Sequence, residues 1–245
     1  MGPLGIRQKR QTNGRLVTRV LLGALLVAGA PFVMQVKPFA GCSDSPRPGV
    51  DWTACSKTRL RLVGSELDNG NFERADLSSS DLKSAQLKGA IFISADLSRT
   101  RLAEAELTGA NLERAYAGRA NFKEAHLPGA NLHKADLARA DFTGADLRGA
   151  DLTKAEMSRT LLTQATLDDA KFRSALLVRT DLRGASLSGA DFSQAIMMLV
   201  HLEGVDLSKT QGLTQENLGR SCGDDQTVLP AGMARPTTWP CQPEE

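Results

Sequence analysis

From residue 62 to residue 207, every fifth residue of the chain is Leu, Phe or Met, with Ala117 as the one exception, and this period constrains the fold more than any other property. Thirty such centres follow in a single register without an insertion. Two residues before every centre except Leu62 stands a smaller residue, most often Ala, as in Ala75-Asp76-Leu77, Ala110-Asn111-Leu112, Ala135-Asp136-Leu137 and Ala150-Asp151-Leu152. A helix turns by about 100° per residue, so a period of five would smear the leucines around its whole circumference. A continuous strand repeats every two residues, so an odd period would send successive leucines to opposite faces. The pattern fits a short extended piece followed by a corner. The centre and the small residue before it then point inward, the residue between them points outward, and the next two residues turn the chain.

The second corner residue indicates how many sides make a coil. It is glycine at Gly64, Gly89, Gly109, Gly129, Gly144, Gly149, Gly184, Gly189 and Gly204, and on a period of twenty these occupy only two of four columns. Pro128-Gly129 suits a type II turn. A turn recurring every twenty residues predicts four sides, so the array makes about seven and a half coils, roughly 36 Å long at about 4.8 Å per coil. Phe72 and Phe92, Phe122 and Phe142, and Phe172 and Phe192 then fall one coil apart as interior stacks.

These residues resemble the pentapeptide-repeat family, with its pattern Ala-Asp/Asn-Leu-x-x, over about 150 residues. The resemblance implies an all-β fold, a right-handed quadrilateral β-helix (β-solenoid) of about 30 pentapeptides. The handedness comes from the resemblance, not from the spacing.

Residues 60–210 are expected to form this solenoid, and the flanking segments differ from it in kind. Residues 1–41 carry six basic residues (Arg7, Lys9, Arg10, Arg15, Arg19 and Lys37) and no acid, with an uncharged run over 20–36. That is the pattern of a signal peptide or signal anchor with its N-terminus in the cytoplasm. Ala28-Gly29-Ala30 offers a small-residue cleavage site that Pro31 obstructs, and Phe39-Ala40-Gly41-Cys42 loosely resembles a lipoprotein signal, so cleavage and anchoring stay open. The expected location is exported: periplasmic, or anchored in the inner membrane facing the periplasm. Cysteines flank the array, Cys42 and Cys55 before it, Cys222 and Cys241 after it. Two local disulfides are expected, because the ends of a straight stack lie too far apart for a bond needing Cα atoms within about 7 Å. Residues 42–59 read as a disulfide-bonded N-terminal cap, and 211–245 as a C-terminal cap or tail with a helical turn started by Thr214.

No constellation for catalysis, cofactor or metal stands out. His126, His133 and His201 occupy scattered outward positions, and no phosphate loop, nucleophile elbow or zinc motif occurs. Beyond residue 41 the chain has 24 basic and 28 acidic residues, too mild an imbalance to imply a nucleic-acid partner. The quinolone-resistance members of the family, acidic cytoplasmic rods that protect topoisomerases by mimicking DNA, are therefore a poor match in charge, cysteines and export head.

Two surface features remain. Leu176, Val178, Ile196, Met198 and Leu199 form an outward apolar group, with Leu161 round the corner; either the C-terminal tail or a partner is expected to cover it. On the same side Arg99, Arg119, Arg139, Arg159 and Arg179 recur once per coil. Asp96, Asp136, Glu156 and Asp181 are expected to compensate this column; alternatively it is a strip for an anionic ligand, lipid headgroup or polysaccharide. Ala117 and its neighbour Tyr116, the sole tyrosine, mark either an underpacked spot or an aromatic contact. The expected function is non-enzymatic: an exported structural or interaction module with a protein partner or homodimer, touching membrane only through its N-terminal segment.

Overall fold

The computed structural model describes residues 41–240. These all lie in the second of two compact units, Pro38–Glu245. The expected signal segment, Gly41 apart, falls outside the described residues, as does Cys241.

The unit is an all-β solenoid. Most pentapeptides close in a turn whose small residue donates its N–H to the carbonyl of the preceding centre, as from Ala75 to Phe72 at 2.9 Å and from Ala135 to Leu132 at 3.0 Å. The outward residues bridge in parallel to those twenty positions on, from Asp51↔Asn71 through to Asp191↔Gln211. Four pentapeptides therefore make one coil. Two stretches are extended enough to form strands: β1 (Leu176–Val178) and β2 (Ile196–Met198) pair in parallel with Leu176 opposite Ile196 and Val178 opposite Met198.

The corners differ from expectation. Glycine was expected to mark a special turn once per twenty residues, yet every second corner residue from Ala54 to Gly204 has positive φ, arginines and glutamates included. A left-handed conformation costs a non-glycine residue about 1–2 kcal/mol, and the ladder holds it nonetheless. The backbone angles do not distinguish the glycine columns. At Gly89 crowding supplies a second reason, since a Cβ there would come within 2.7 Å of Asn69 Oδ1.

Inward leucines and phenylalanines are buried along the whole stack, Ala117 among them. The three predicted phenylalanine pairs stack with centroids 4.9, 4.5 and 4.8 Å apart. Thr100, Thr160 and Thr180 take the small inward position in one column, where each buried hydroxyl donates to the carbonyl of Leu77, Leu137 or Met157 at 2.8–3.0 Å. The outward Asp or Asn has a structural task. Its Oδ1 accepts the N–H two residues on, as Asp76 does from Ser78 at 3.0 Å and Asn111 from Glu113 at 3.0 Å, which staples the corner.

The coil begins two repeats before Leu62. Trp52 and Lys57 take the centres of those repeats, which the Leu/Phe/Met pattern does not register. Trp52 is buried and meets Phe72 edge-on at 5.7 Å. Lys57 Nζ lies 4.0 Å from the Trp52 ring centroid and donates to the Cys42 carbonyl at 2.6 Å. Cys42 and Cys55 are disulfide-bonded, with Cα atoms 5.5 Å apart.

At the other end the register lengthens, to His201↔Cys222 and then Asp206↔Val228. A short helix, α1 (Gln215–Gly219), intervenes; Thr214 caps it by accepting from Asn217 N–H at 3.1 Å, and Leu218 is buried. The Trp239 indole donates to the Ser221 carbonyl at 2.7 Å, and its ring lies so close to Gly223 that a Cβ there would collide with it. Cys222 is disulfide-bonded.

Candidate interaction surface

The side of the coil centred on residues 77, 97, 117, 137, 157, 177 and 197 carries both surface features. Its backbone is one continuous ladder. Arg99, Arg119, Arg139, Arg159 and Arg179 donate their N–H groups to Gly118, Ala138, Ser158, Val178 and Met198 at 2.7–3.1 Å. Each arginine is thereby fixed at its corner, and all five side chains are exposed.

The expected compensation is not what the structure contains. Among the described residues no carboxylate lies within 4.0 Å of the guanidinium groups of Arg99, Arg119, Arg139 or Arg159. Of the four acids expected to compensate the column, Glu156 is exposed and the other three make contacts elsewhere. Asp96 and Asp136 staple their own corners by accepting from Ser98 at 2.8 Å and Ala138 at 3.0 Å. Asp181 pairs with Arg183 at 2.5 Å, and although burial opposes ionisation, that guanidinium keeps its carboxyl below the usual range. The period places these acids correctly; their hydrogen bonds to the backbone could be inferred only once each corner was known to be a turn.

Between the arginines and the outward residues runs an open groove of about 790 Å³. Arg59, Arg99, Arg119 and Arg139 form one wall, and Asp96 and Asp136 stand on the other. The floor consists of first corner residues with short side chains or none, including Ser78, Ser98, Gly118 and Ala138. Tyr116 is 57% exposed and stands between Asp96 and Asp136 in the ladder. Its ring is turned to solvent rather than folded over the space left by Ala117.

Further along the same side the first corner residues become Val178 and Met198, and the surface turns apolar. Ile196, Met198 and Leu199 are 52, 44 and 40% exposed, whereas Leu176 and Val178, paired with them, are half-buried. Leu161 sits apart, in a hollow of about 390 Å³ with Arg159, Arg179, Asp181, Arg183 and His201. As far as residue 240 the tail continues the stack beyond β2, and Ile196, Met198 and Leu199 stay exposed. Asn217 donates to the Ala195 carbonyl at 3.2 Å, and Leu199 N–H donates to the Arg220 carbonyl at 2.7 Å.

The histidines come no closer to a site. His201 Nδ1 lies 3.0 Å from Glu203 Oε1, and among the described residues no group of three His, Cys, Asp or Glu is placed to hold a metal ion. No helix among the described residues is long and apolar enough to cross a membrane.

Comparison with known proteins identifies the repeat. The family model for pentapeptide repeats matches in eight copies that together span residues 58–210. Among solved structures, HetL of the cyanobacterium Nostoc, a pentapeptide repeat protein involved in heterocyst differentiation regulation, is 31% identical; the match covers 73% of this chain and 84% of HetL, with a TM-score of 0.33. A pentapeptide repeat protein of the Arabidopsis thaliana thylakoid lumen is 36% identical over 41% of this chain and 66% of that one, with a TM-score of 0.32. QnrB1, a plasmid-mediated fluoroquinolone resistance protein, is 19% identical over 71% of this chain and 92% of its own, with a TM-score of 0.39. A search of curated proteins gives no match.

Proposed function

The chain belongs to the pentapeptide-repeat family, and from that membership we propose that it is an exported, non-enzymatic interaction module whose working surface is the side carrying residues 176–179 and 196–199. Members of this family are generally interaction modules without catalytic activity. The observation that carries the reading is the apolar face of Ile196, Met198 and Leu199, left exposed while the tail packs against the end of the coil. Contiguous exposed apolar surface of this kind usually marks a contact site, and the occupant is a protein partner or a second copy of the chain. In this reading residues 1–41 direct export, and residues 42–59, whose last two repeats also continue the coil, and 211–245 close the two ends of a right-handed β-helix of about thirty pentapeptides, each end held by a local disulfide, Cys42–Cys55 and Cys222–Cys241. Open coil ends would otherwise offer unpaired strand edges to other chains. Changing Met198 and Leu199 to Glu together is expected to abolish self-association or partner capture without lowering the melting temperature. Sedimentation velocity before and after the change checks this, and an unaltered assembly removes the apolar face from the account.

A second reading uses the arginine column as an envelope site for an anionic glycan or lipid. It is favoured by one observation, that the exposed guanidinium groups of Arg99, Arg119, Arg139 and Arg159 have no carboxylate within ion-pair distance among the described residues.

A further inference from the structure

We propose that the groove beside Arg99, Arg119 and Arg139 binds an acidic polysaccharide laid along the stack, with uronate carboxylates on the arginines and a sugar ring on Tyr116. The proposal rests on the arginine-edge reading above and gives it a ligand class.

Three features of the groove converge on that chemistry. The arginines repeat once per coil, at about 4.8 Å along the stack, so they suit a polymer with repeated charges better than a single ion. A guanidinium holds a carboxylate through two parallel hydrogen bonds, and among the described residues neither ion pairs nor side-chain hydrogen bonds occupy Arg99, Arg119 or Arg139. Tyr116, 57% exposed and set in the ladder between the groove-lining Asp96 and Asp136, presents a flat apolar ring with a polar tip, which matches the C–H face and hydroxyl rim of a sugar. The floor is also open at a point where the fold does not require it. Gly118 is absent from the positive-φ corners, and a Cβ there would meet only the Ala138 carbonyl, at an ordinary 3.6 Å. The missing side chain leaves space for a ligand beside Tyr116.

The alternatives fit less well. Asp96 and Asp136 on the facing wall would repel a uniformly charged polyphosphate or nucleic acid, whereas a sugar acid alternates carboxylates with hydroxyls that those oxygens can accept from. The ladder already uses the N–H groups of Arg99, Arg119 and Arg139, so an acidic peptide would gain no strand pairing there. A bilayer surface is too broad to reach a groove floor set between two walls.

Calorimetric titration of the full-length protein tests the proposal, with four probes: a defined oligogalacturonate, a neutral oligosaccharide of equal length, inorganic polyphosphate, and vesicles containing phosphatidylglycerol. The oligogalacturonate is expected to bind at least about tenfold more tightly than the neutral chain, and less tightly as salt rises. Because the basic residues of 1–41 attract any polyanion, variants must locate the site. Gly118→Leu is expected to cost about tenfold with an unchanged melting temperature, Tyr116→Ala several-fold. Arg99→Asn, Arg119→Asn and Arg139→Asn combined should abolish the preference for charge, Asn being a residue that tolerates positive φ. Oligogalacturonate binding unmoved by Gly118→Leu and Tyr116→Ala overturns the proposal, as does equal binding of the neutral chain. If polyphosphate or vesicles bind through the arginines and oligogalacturonate does not, the ligand class is wrong and the anionic edge survives. If no anion responds to the arginine changes, both fall.

Discussion

The side that carries the candidate surfaces contains two stretches built on one backbone and finished differently. Around Tyr116 the first corner residues are Ser98, Gly118 and Ala138, the outward residues include Asp96 and Asp136, and the result is a polar groove. Four coils along, the same positions hold Val178 and Met198, with Leu176 and Ile196 outward; the extended geometry runs on into the corner as β1 and β2, and the surface is apolar. Apart from Ala117, which stands where Met197 stands four coils on, the inward residues change little between the two. A periodic core thus separates stability from recognition, since three of every five positions can vary without disturbing the two that pack.

The largest expected effect tests whether the two stretches share one core. Leu137→Asp and Leu177→Asp each put an unpaired carboxylate into a fully buried site and should cost more than about 4 kcal/mol alike in chemical denaturation. Asp136→Asn, which keeps the oxygen that accepts Ala138 N–H, should change stability by less than about 0.5 kcal/mol. If Asp136→Asn were as damaging as Leu137→Asp, the inward and outward assignments would be wrong.

A middle-sized effect separates glycines required by the backbone from the glycine of the groove. Gly189→Ala meets both a φ of 77° and the Asp169 side chain, and should lose about 1–2 kcal/mol. Gly118→Ala should stay within about 0.5 kcal/mol of the parent, or gain slightly. Thermal melts of the two variants side by side decide this, and an equal loss would mean that Gly118 serves the fold.

The smallest effect is expected in acid and should not favour either stretch. Hydrogen bonding from Arg148 holds the Asp146 carboxyl below the usual range against the opposing pull of burial, and Arg101 does the same for Asp81. A carboxyl whose folded pKa is depressed adds stability above its unfolded value near 4 and loses it as pH falls further. The melting temperature should therefore drop gradually below about pH 4, with both carboxyls contributing modestly because their partners are exposed. A sharp loss between pH 6 and 7 would point to groups other than these.

Much of the fold is legible in the sequence because burial repeats with the chain. The unbroken register from Leu62 to Leu207 reports the inward column directly, and the phenylalanines placed one coil apart by the twenty-residue glycine period do stack. Features outside that periodicity are hidden. Trp52 and Lys57 extend the coil with residue types that do not match the pattern, and α1 lengthens the last coil through local hydrogen bonds around Thr214. Positive φ at every corner is equally invisible, since arginine or glutamate at such a site carries no sequence signal of its conformation. The candidate surface divides the same way. Its arginines and apolar residues stand where the period puts them, whereas the groove depends on side chains that are small or absent. The lack of ion pairing depends on Asp96 and Asp136 being held by their own turns.

The central claim is that this side, and no other, meets the outside world. In-cell photocrosslinking from one coil tests it most directly, with a photoreactive residue placed in turn at Ser186, Asp191, Ile196 and His201, the outward positions of its four sides. The account predicts one strong, discrete product from position 196 that disappears when Met198 and Leu199 are changed to Glu, and little from the other three. Equal products from all four positions, or a discrete product from any side except that of Ile196, would contradict it.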